Sequence, residues 1–251
     1  RYISIDEIAI KKGHKYMTIF TDISTGQIIH SVLDRSEDSL RPILKLLSKK
    51  AKHLRGIGID MSAAYSSSIK QHLPNVAIIF DRFHVTKLLN DTIDKIRRAE
   101  YEKCHNEDKK VLKGQRFLLL RNFVELDNGQ KSCLQELLDV NQSLAIAHRM
   151  KEQFRLFWAL KTKAAGARFL GMWIIQALES GVIQLARTAK TLLHYYKGLL
   201  SYFNHKIDNG KAEGINNKIK VLKRQAYGFH DEEYFKLKLY HLHRKEYQLV
   251  G

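Results

Sequence analysis

Proline, cysteine and long apolar runs are scarce in this 251-residue sequence, and each scarcity excludes a class of protein. The 2 prolines permit long ordered helices. Cys104 and Cys133 form no CxxC pair, which argues against zinc fingers and disulfide frameworks and makes a reducing, intracellular setting the default. No run of 18 apolar residues and no secretory signal occur, so no membrane span is expected. A strand-like run follows Arg1 at once, as expected for a segment of a longer protein.

Acidic residues are also few, because 26 Asp and Glu stand against 43 Lys and Arg and leave a formal net charge of +17. A protein this basic attracts polyanions, and nucleic acid is the commonest of them. The alternative is a basic surface that is merely well solvated, but the size of the excess favours nucleic-acid binding. A hydrophobic fraction of 44% is enough for a core, and the length suits one domain that carries a large insertion.

The first 80 residues alternate between strand and helix patterns. The predicted strands are 2–10, 15–23, 27–33, 56–59 and 76–80, and the predicted helices are 37–51 and 62–72. Ser24-Thr25-Gly26 predicts a hairpin turn, Ser62 is a plausible helix cap, and the last two apolar runs suit buried parallel strands.

From about residue 85 the strand patterns end and helical patterns dominate. The predicted helices are 85–106, 130–138, 144–160, 164–178 and 183–204, closed by a turn at Asp208-Asn209-Gly210 and followed by helices 212–224 and 231–246. The sequence therefore predicts an α/β fold in which a core of residues 1–84 and 209–251 is interrupted by an all-helical insertion, 85–208.

Three acidic residues have positions that suit metal-assisted phosphoryl chemistry. Asp6 lies inside the first strand, Asp60 terminates the strand 56–59, and Glu213 begins the helix after the insertion. Such chemistry needs two hard cations about 3.5–4 Å apart, and Mg²⁺ prefers carboxylate oxygens and water. Carboxylates from neighbouring strands and a helix beside them meet this need. Taken alone, each acid also has an ordinary explanation as a turn or cap residue.

The Glu213 helix carries basic residues opposite its apolar stripe, where they could meet DNA phosphates or simply form a solvated face. The candidate DNA contacts are Arg82, Asn217, Lys218, Lys220, Lys223 and Arg224. Asp81 and His84, three residues apart after a strand, could position a phosphate or a catalytic carboxylate, or could form a structural hydrogen bond.

The predicted insertion offers further candidates for a DNA path, although their role is open. These cations are Arg97, Arg98, Arg149, Arg155, Lys161 and Lys163. Trp158 and Trp173 could stack on a flipped base, but their apolar surroundings favour the helical core.

Four segments resemble the DDE transposases of bacterial insertion sequences, above all the ISL-three (ISL3) family. They are ISIDEIAIKKGHKYMTIFTDISTGQII, GIGIDMSAAY, LPNVAIIFDRFHVTKLLN and NGKAEGINNKIKVLKRQAYGF, which follow in order through nearly the whole chain. Residues from about 100 to 206 match only as a helical region.

The resemblance implies an RNase H-like fold and names its site. It implies Asp6 on the first strand, Asp60 after the fourth and Glu213 on a helix beyond a helical insertion, with Asp81 and His84 matching a further acid-x-x-His motif. It implies Mg²⁺, for which Mn²⁺ can substitute, bound by Asp6, Asp60 and Glu213. The implied reaction is cleavage at the ends of the element, followed by strand transfer.

The same resemblance implies the partners and the setting. They are the double-stranded DNA of terminal inverted repeats and of the target, a homodimer or larger assembly on that DNA, and the bacterial cytoplasm at the nucleoid. Relatives carry an N-terminal zinc segment and a helix-turn-helix that this sequence lacks, so sequence-specific recognition is expected to be weak. The alternatives are an RNase H-like nuclease or resolvase, and an inactive DNA-binding protein derived from a transposase.

Overall fold

The computed structural model of the chain describes residues 1–11, 15–50, 52–103, 109, 112–207 and 210–242, with the main chain alone at 211 and 212. These residues form two compact units, one of residues 1–81 with those from 204 onward, the other of residues 82–203. The predictions for Cys104, for the turn residues Asp208 and Asn209 and for helix ends at 106 and 246 fall outside the described residues.

A mixed five-stranded sheet dominates the first unit. Its strands are β1 (Tyr2–Lys11), β2 (Lys15–Asp22), β3 (Ile28–Leu33), β4 (Gly56–Ile59) and β5 (Ala77–Phe80). They lie in the order β3-β2-β1-β4-β5, with β2 antiparallel to both neighbours and β1, β4 and β5 parallel. Every predicted strand is therefore confirmed, including the parallel pair and the hairpin, whose turn residue Gly26 has a φ of 76°.

Both faces of this sheet are buried, which explains the composition of its strands. All four residues of β4 are buried, as expected for a parallel strand between two neighbours. Gly56 is required there, because a Cβ at this position would lie 2.5 Å from Cδ1 of Ile79. The apolar run of β4 is thus a consequence of its place inside the sheet.

The helices are numbered in chain order, and the first two lie between strands of the sheet. They are α1 (Glu37–Lys50), α2 (Ala63–His72), α3 (Arg82–Lys103), α4 (Arg116–Leu120), α5 (Asn128–Val140), α6 (Gln142–Phe157), α7 (Lys163–Glu179), α8 (Ile183–His194), α9 (Tyr196–His205), α10 (Gly210–Gln225) and α11 (Glu232–His241). Within the described residues, no helix is both long and apolar enough to cross a membrane.

Two of these helices, α10 and α11, cover one face of the sheet. Ile215 and Ile219 of α10 and Phe235 and Leu239 of α11 are buried in one apolar cluster with strand residues. The strand members of that cluster are Ile8, Ile10, Met17, Ile19 and Ile28. This packing fixes the side of α10 that faces β1, and with it the position of the residues on either flank.

The second unit is helical, as predicted, but one helix was predicted wrongly. The segment 183–204 forms two helices, α8 and α9, because the main chain at Tyr195 leaves helical geometry at φ −96° and ψ 11°. The short α4 and the 3₁₀ turn Phe123–Glu125 were not predicted. The preference for core tryptophans is confirmed, since Trp158 and Trp173 are both buried and Nε1 of Trp173 donates to the Met150 carbonyl over 2.9 Å.

Candidate active site

Asp6 lies in the middle of β1, on the sheet face that α10 covers. Side chains alternate along a strand, so Asp6 shares this face with Ile8 and Ile10, which pack in the apolar cluster with α10. Its carboxylate is held from two sides, because the Glu7 N–H donates to Oδ1 over 2.7 Å and Nδ2 of Asn216 donates to Oδ2. Asp6 remains half-buried, so solvent still reaches this position.

Asp60 follows β4 at the level of Asp6. The parallel pairing of β1 and β4 joins Ser4 to Gly58, and two residues further along the same register brings Asp6 beside Asp60. Neighbouring strands lie about 4.8 Å apart. The main-chain positions of these two carboxylates are therefore neighbours across the sheet.

Asp81 extends the row to the next strand. The pairing of β4 and β5 joins Ile59 to Phe80, so one residue further along it brings Asp60 beside Asp81. A hydrogen bond from the Asp81 N–H to the Ile59 carbonyl, 3.0 Å long, holds this end of the ladder. The extended register thus places the three aspartates at one level, with Asp6 inside β1 and Asp60 and Asp81 directly after β4 and β5.

Asp60 does not act as the cap of the helix that follows it. That cap is Ser62, whose Oγ accepts from the Tyr65 N–H over 3.4 Å, while one carboxylate oxygen of Asp60 is buried. Burial raises the pKa of the Tyr65 phenol, and the negative charges of Glu7 and Asp60 raise it further. Tyr65 therefore stays protonated, with its hydroxyl 3.0 Å from Oγ1 of Thr18.

Glu213 stands in the first turn of α10 and is exposed. It precedes Asn216 by three residues, which is about 4.5 Å along a helix axis at 1.5 Å per residue. Because Asn216 bonds to Asp6, the Glu213 carboxylate belongs to the helical turn next to that contact. The buried side chains of Ile215 and Ile219 seat this part of α10 on the sheet.

These acids match a hard divalent cation in their chemistry. Within the described residues, no three His, Cys, Asp or Glu side chains lie close enough together to hold a metal ion. Carboxylate oxygens from adjacent strands are nevertheless the ligands that Mg²⁺ prefers. Asp6 and Asp60 are the residues that could hold such an ion, and the exposed side chain of Glu213 could turn to supply a third carboxylate.

Asp81 and His84 fall on different units of the structure. Asp81 is the last residue of the first unit, and His84 lies in the first turn of α3 in the second. That helix begins at Arg82, three residues before the predicted start at residue 85. Both interpretations of this motif, phosphate or carboxylate positioning and a structural hydrogen bond, stay predictions.

The predicted DNA contacts are exposed, with one exception. Arg82, Asn217, Lys218, Lys220 and Arg224 are all accessible. Lys223 is half-buried, its Nζ donates to the Ala9 carbonyl on β1, and burial lowers the pKa of its ammonium. Lys223 therefore also ties the C-terminal part of α10 to the sheet.

The cations predicted to line a DNA path differ in their pairing. Arg97 and Arg98 both bond to the buried Asp94, at 2.9 and 2.7 Å, and Arg116 approaches the same carboxylate at 3.4 Å. Arg155 pairs with Glu152 at 3.0 Å. The remaining three, Arg149, Lys161 and Lys163, are exposed.

Asn216 is the site residue that the sequence did not indicate. Its neighbour Asn217 fell on the polar face of the predicted helix, whereas Asn216 lies at the border between that face and the apolar stripe. Its separation of three residues from Glu213 was the available signal, because residues three apart are neighbours on a helix surface. The strand that it contacts could not be read from periodicity.

Comparison with known proteins gives the family of the chain. A family model described as a transposase, of the ISL3 type of DDE transposases, matches residues 3–239. The transposase for insertion sequence element IS1001 of Bordetella parapertussis is 35% identical over 242 residues, which are 95% of this chain and 60% of that protein. The transposase for IS1557 of Mycobacterium tuberculosis is 22% identical over 253 residues, 91% of this chain and 57% of that protein.

The chain thus spans about three fifths of the length of the curated relatives that it matches. The family match nevertheless extends over both parts of the sheet unit and the helical unit between them. With a match of this extent and a relative that is 35% identical along nearly all of it, this chain belongs to the ISL3 family of DDE transposases.

Proposed function

We propose that this chain is the catalytic region of a transposase that cleaves DNA at the ends of an insertion element and joins the cleaved strands to target DNA. The observation that carries the proposal is the parallel pairing of β1 with β4, which ends at Ser4 and Gly58, two residues before Asp6 and Asp60, together with the bond from Asn216 of the Glu213 helix to Asp6. Carboxylates in this arrangement serve metal-assisted phosphoryl transfer.

The proposed fold is RNase H-like, with residues 1–84 and 209–251 as its core and residues 85–208 as a helical insertion. The strand order β3-β2-β1-β4-β5 supports it, because the strands that carry the aspartates are adjacent and parallel. The division into one unit of residues 1–81 and 204 onward and another of residues 82–203 supports the insertion.

In the proposed mechanism Asp6 and Asp60 hold divalent metal, Mg²⁺ or Mn²⁺, and Glu213 completes the ligand set. Bound metal of this kind stabilises the attacking and leaving oxygens of an in-line displacement. The protein's own contribution is to fix the carboxylates, which the Glu7 N–H and the Asn216 amide do at Asp6. Asp81 and His84 would position a phosphate or a carboxylate.

The proposed reaction has two displacements and no covalent enzyme intermediate. In the first, a water oxygen bonds to the phosphorus at the end of the element, the bond to the 3′ oxygen breaks, and that oxygen leaves as a hydroxyl. In the second, this 3′-hydroxyl bonds to a phosphorus of target DNA and the target's own 3′ oxygen leaves. Each step exchanges one P–O bond for another.

The proposed partner is double-stranded DNA, from the terminal repeats and from the target. A net charge of +17 and the exposed cations of α10 support it, because phosphate contacts supply most of the affinity of such proteins. Two element ends must meet, so we propose a homodimer or larger assembly on DNA. Its proposed setting is the nucleoid in the bacterial cytoplasm.

The decisive experiment measures nicking and strand transfer in Mg²⁺ and Mn²⁺ together with DNA affinity in EDTA. We expect Asp6→Asn, Asp60→Asn and Glu213→Gln to lose both products, because each removes a charged metal ligand, and to keep DNA affinity. The matched controls Glu136→Gln and Asp139→Asn change exposed acids of α5 and should leave both reactions intact.

The outcomes separate the alternatives. Nicking without strand transfer identifies a nuclease or resolvase, and DNA binding without either product identifies an inactive relative. An Asp60→Asn variant that still nicks DNA in Mg²⁺ would remove Asp60 from the site.

A further inference from the structure

Tyr227 combines an unfavourable main-chain conformation with a fully exposed ring. Its φ is 50° and that of Gly228 is 99°, so both residues lie in the left-handed region. The Tyr227 side chain is 100% exposed, the most exposed of the large apolar side chains in the described part of the chain. The fold gains no burial from this ring.

The conformation of Tyr227 follows from its place at the end of α10. The Gly228 N–H donates to the Lys223 carbonyl over 2.9 Å and the Tyr227 N–H to the Arg224 carbonyl over 3.1 Å. This hydrogen-bond pair is the Schellman motif, whose left-handed position is usually glycine, since a side chain there is strained. A tyrosine at this position costs stability that an exposed ring does not return.

We propose that Tyr227 is a DNA-binding residue whose ring stacks on an unpaired base, such as one at a strand end. A bulky residue with positive φ is a genuine outlier, and such strain is concentrated at functional sites. A ring on an exposed turn can stack only on a base whose face is open, which the interior of a duplex does not offer.

The charge around Tyr227 favours nucleic acid over an acidic or neutral protein surface. Lys218, Lys220 and Arg224 are exposed on the same helix, and Lys223 lies one turn before the ring. The one acid of α10, Glu213, precedes Tyr227 by 14 residues, about 21 Å along the axis at 1.5 Å per residue. The ring therefore stands at the basic end of α10, and of the acids that follow it at the start of α11, Glu232 pairs with Lys15 and Glu233 with Lys236.

The inference rests on the proposed function, since cleavage at element ends creates the strand ends that Tyr227 would bind. The experiment is fluorescence anisotropy in EDTA with a single-stranded oligonucleotide and a blunt duplex, at several salt concentrations. Tyr227→Gly should bind the single strand about fivefold to a hundredfold more weakly than the wild type, because the loss of one base–aromatic stack weakens binding by about this factor. The salt dependence should not change, because no charge is lost.

Stability should move in the opposite direction to binding. Tyr227→Gly relieves the left-handed strain and should raise the Tm by about 2–4 °C. Tyr227→Phe keeps the ring and should bind as the wild type does. Phe117→Ala removes another exposed ring, 69% accessible on α4, and serves as the matched control that should leave affinity unchanged.

Each other outcome has a defined meaning. The inference is overturned if Tyr227→Gly binds the single strand with an affinity within twofold of that of the wild type. If strand transfer by this variant falls at the same time, the ring contacts protein and not DNA. An equal loss in Phe117→Ala also overturns it, because any exposed ring would then suffice. A lowered Tm overturns its premise. If the wild type binds neither oligonucleotide, the proposed function fails instead.

Discussion

The amide of Asn216 links the helix that carries Glu213 to the strand that carries Asp6. Its Nδ2 donates to Oδ2 of Asp6, while the Glu7 N–H donates to Oδ1, so the carboxylate is fixed before any ligand arrives. Groups that orient a metal ligand in this way change metal affinity without touching the metal themselves. Asn216 is therefore a positioning residue in the proposed site.

We expect Asn216→Ala to raise the Mg²⁺ concentration needed for half-maximal nicking by about 10- to 100-fold. DNA affinity in EDTA should stay unchanged, because the phosphate contacts are intact. A metal titration of the nicking rate measures the effect. Gln225→Ala, which removes an exposed amide from the same helix, is the control. An unchanged metal requirement in Asn216→Ala would show that Asp6 needs no such support.

The individual acids could be predicted from the sequence, but their alignment could not. Asp6, Asp60 and Asp81 lie where the strand patterns indicated, within or directly after β1, β4 and β5. The register that sets Asp6 beside Asp60 joins strands more than fifty residues apart in the chain. This register depends on how other parts of the chain pack on both faces of the sheet, and a local sequence pattern does not contain that information. The predicted convergence of Glu213 with Asp6 and Asp60 remains a prediction.

Among the helices, α7 contains two glycines that occupy opposite environments. A Cβ at Gly166 would lie 2.2 Å from Cε2 of Phe203, so the ring of α9 packs directly on the α7 main chain. A Cβ at Gly171 would meet nothing within 4 Å. A substitution at Gly166 therefore tests close packing between α7 and α9, whereas the same substitution at Gly171 tests only the intrinsic helix propensity of the residue.

Gly166→Ala should destabilise the second unit by about 1–3 kcal/mol, because the ring or the helix must shift to admit the methyl group. Gly171→Ala on the same helix should stabilise it by about 0.5–1 kcal/mol, the ordinary gain of alanine over glycine. Urea denaturation followed by tryptophan fluorescence measures both. Effects of the same sign in the two variants would contradict this interpretation of the α7–α9 contact.

Helix identity was easier to predict than helix ends or breaks. The apolar pattern of 183–204 continues through Tyr195, with no proline or glycine at the break, so periodicity indicates one helix where the fold contains two. By contrast, Ser62 was recognisable as a cap from its residue type alone and is confirmed. Local chemistry is visible in a sequence, whereas a helix break without proline or glycine is not.

Across the molecule, the aromatic residues divide between core and surface. Trp158 and Trp173, the only tryptophans of the chain, are buried in the second unit, so they are not available to stack on a base in this conformation. Tyr227 in the first unit is fully exposed. The fluorescence of the two tryptophans consequently reports on the second unit alone, which allows its stability to be measured separately.

The second unit also buries a histidine in a setting that opposes its charge. His148 is 5% exposed, and its Nε2 is buried without a hydrogen-bond partner in the described part of the chain. Burial and the nearby ammonium of Lys151 together lower the pKa of His148 to about 4, although the carboxylate of Glu152 opposes the shift in part. The folded unit therefore keeps this imidazole neutral at pH values where an unfolded chain protonates it.

The second unit should accordingly lose stability as the pH falls from about 6.5, the usual pKa of histidine, to about 4. Above pH 6.5 the imidazole is neutral in both the folded and the unfolded state, and the free energy of unfolding is constant. Below pH 6.5 the unfolded state binds a proton that the folded state does not. This difference lowers the free energy of unfolding by about 3 kcal/mol in total. Urea denaturation followed by tryptophan fluorescence between pH 7.5 and 5.5 measures the first part of this loss, at pH values above 4.5, the ordinary pKa of glutamate, near which the paired carboxylates begin to lose their own stabilising contribution. His148→Gln cannot titrate and should flatten the profile, whereas His194→Gln, at an exposed position of α8, should retain it. A profile that falls equally in His148→Gln would assign the pH dependence to another group.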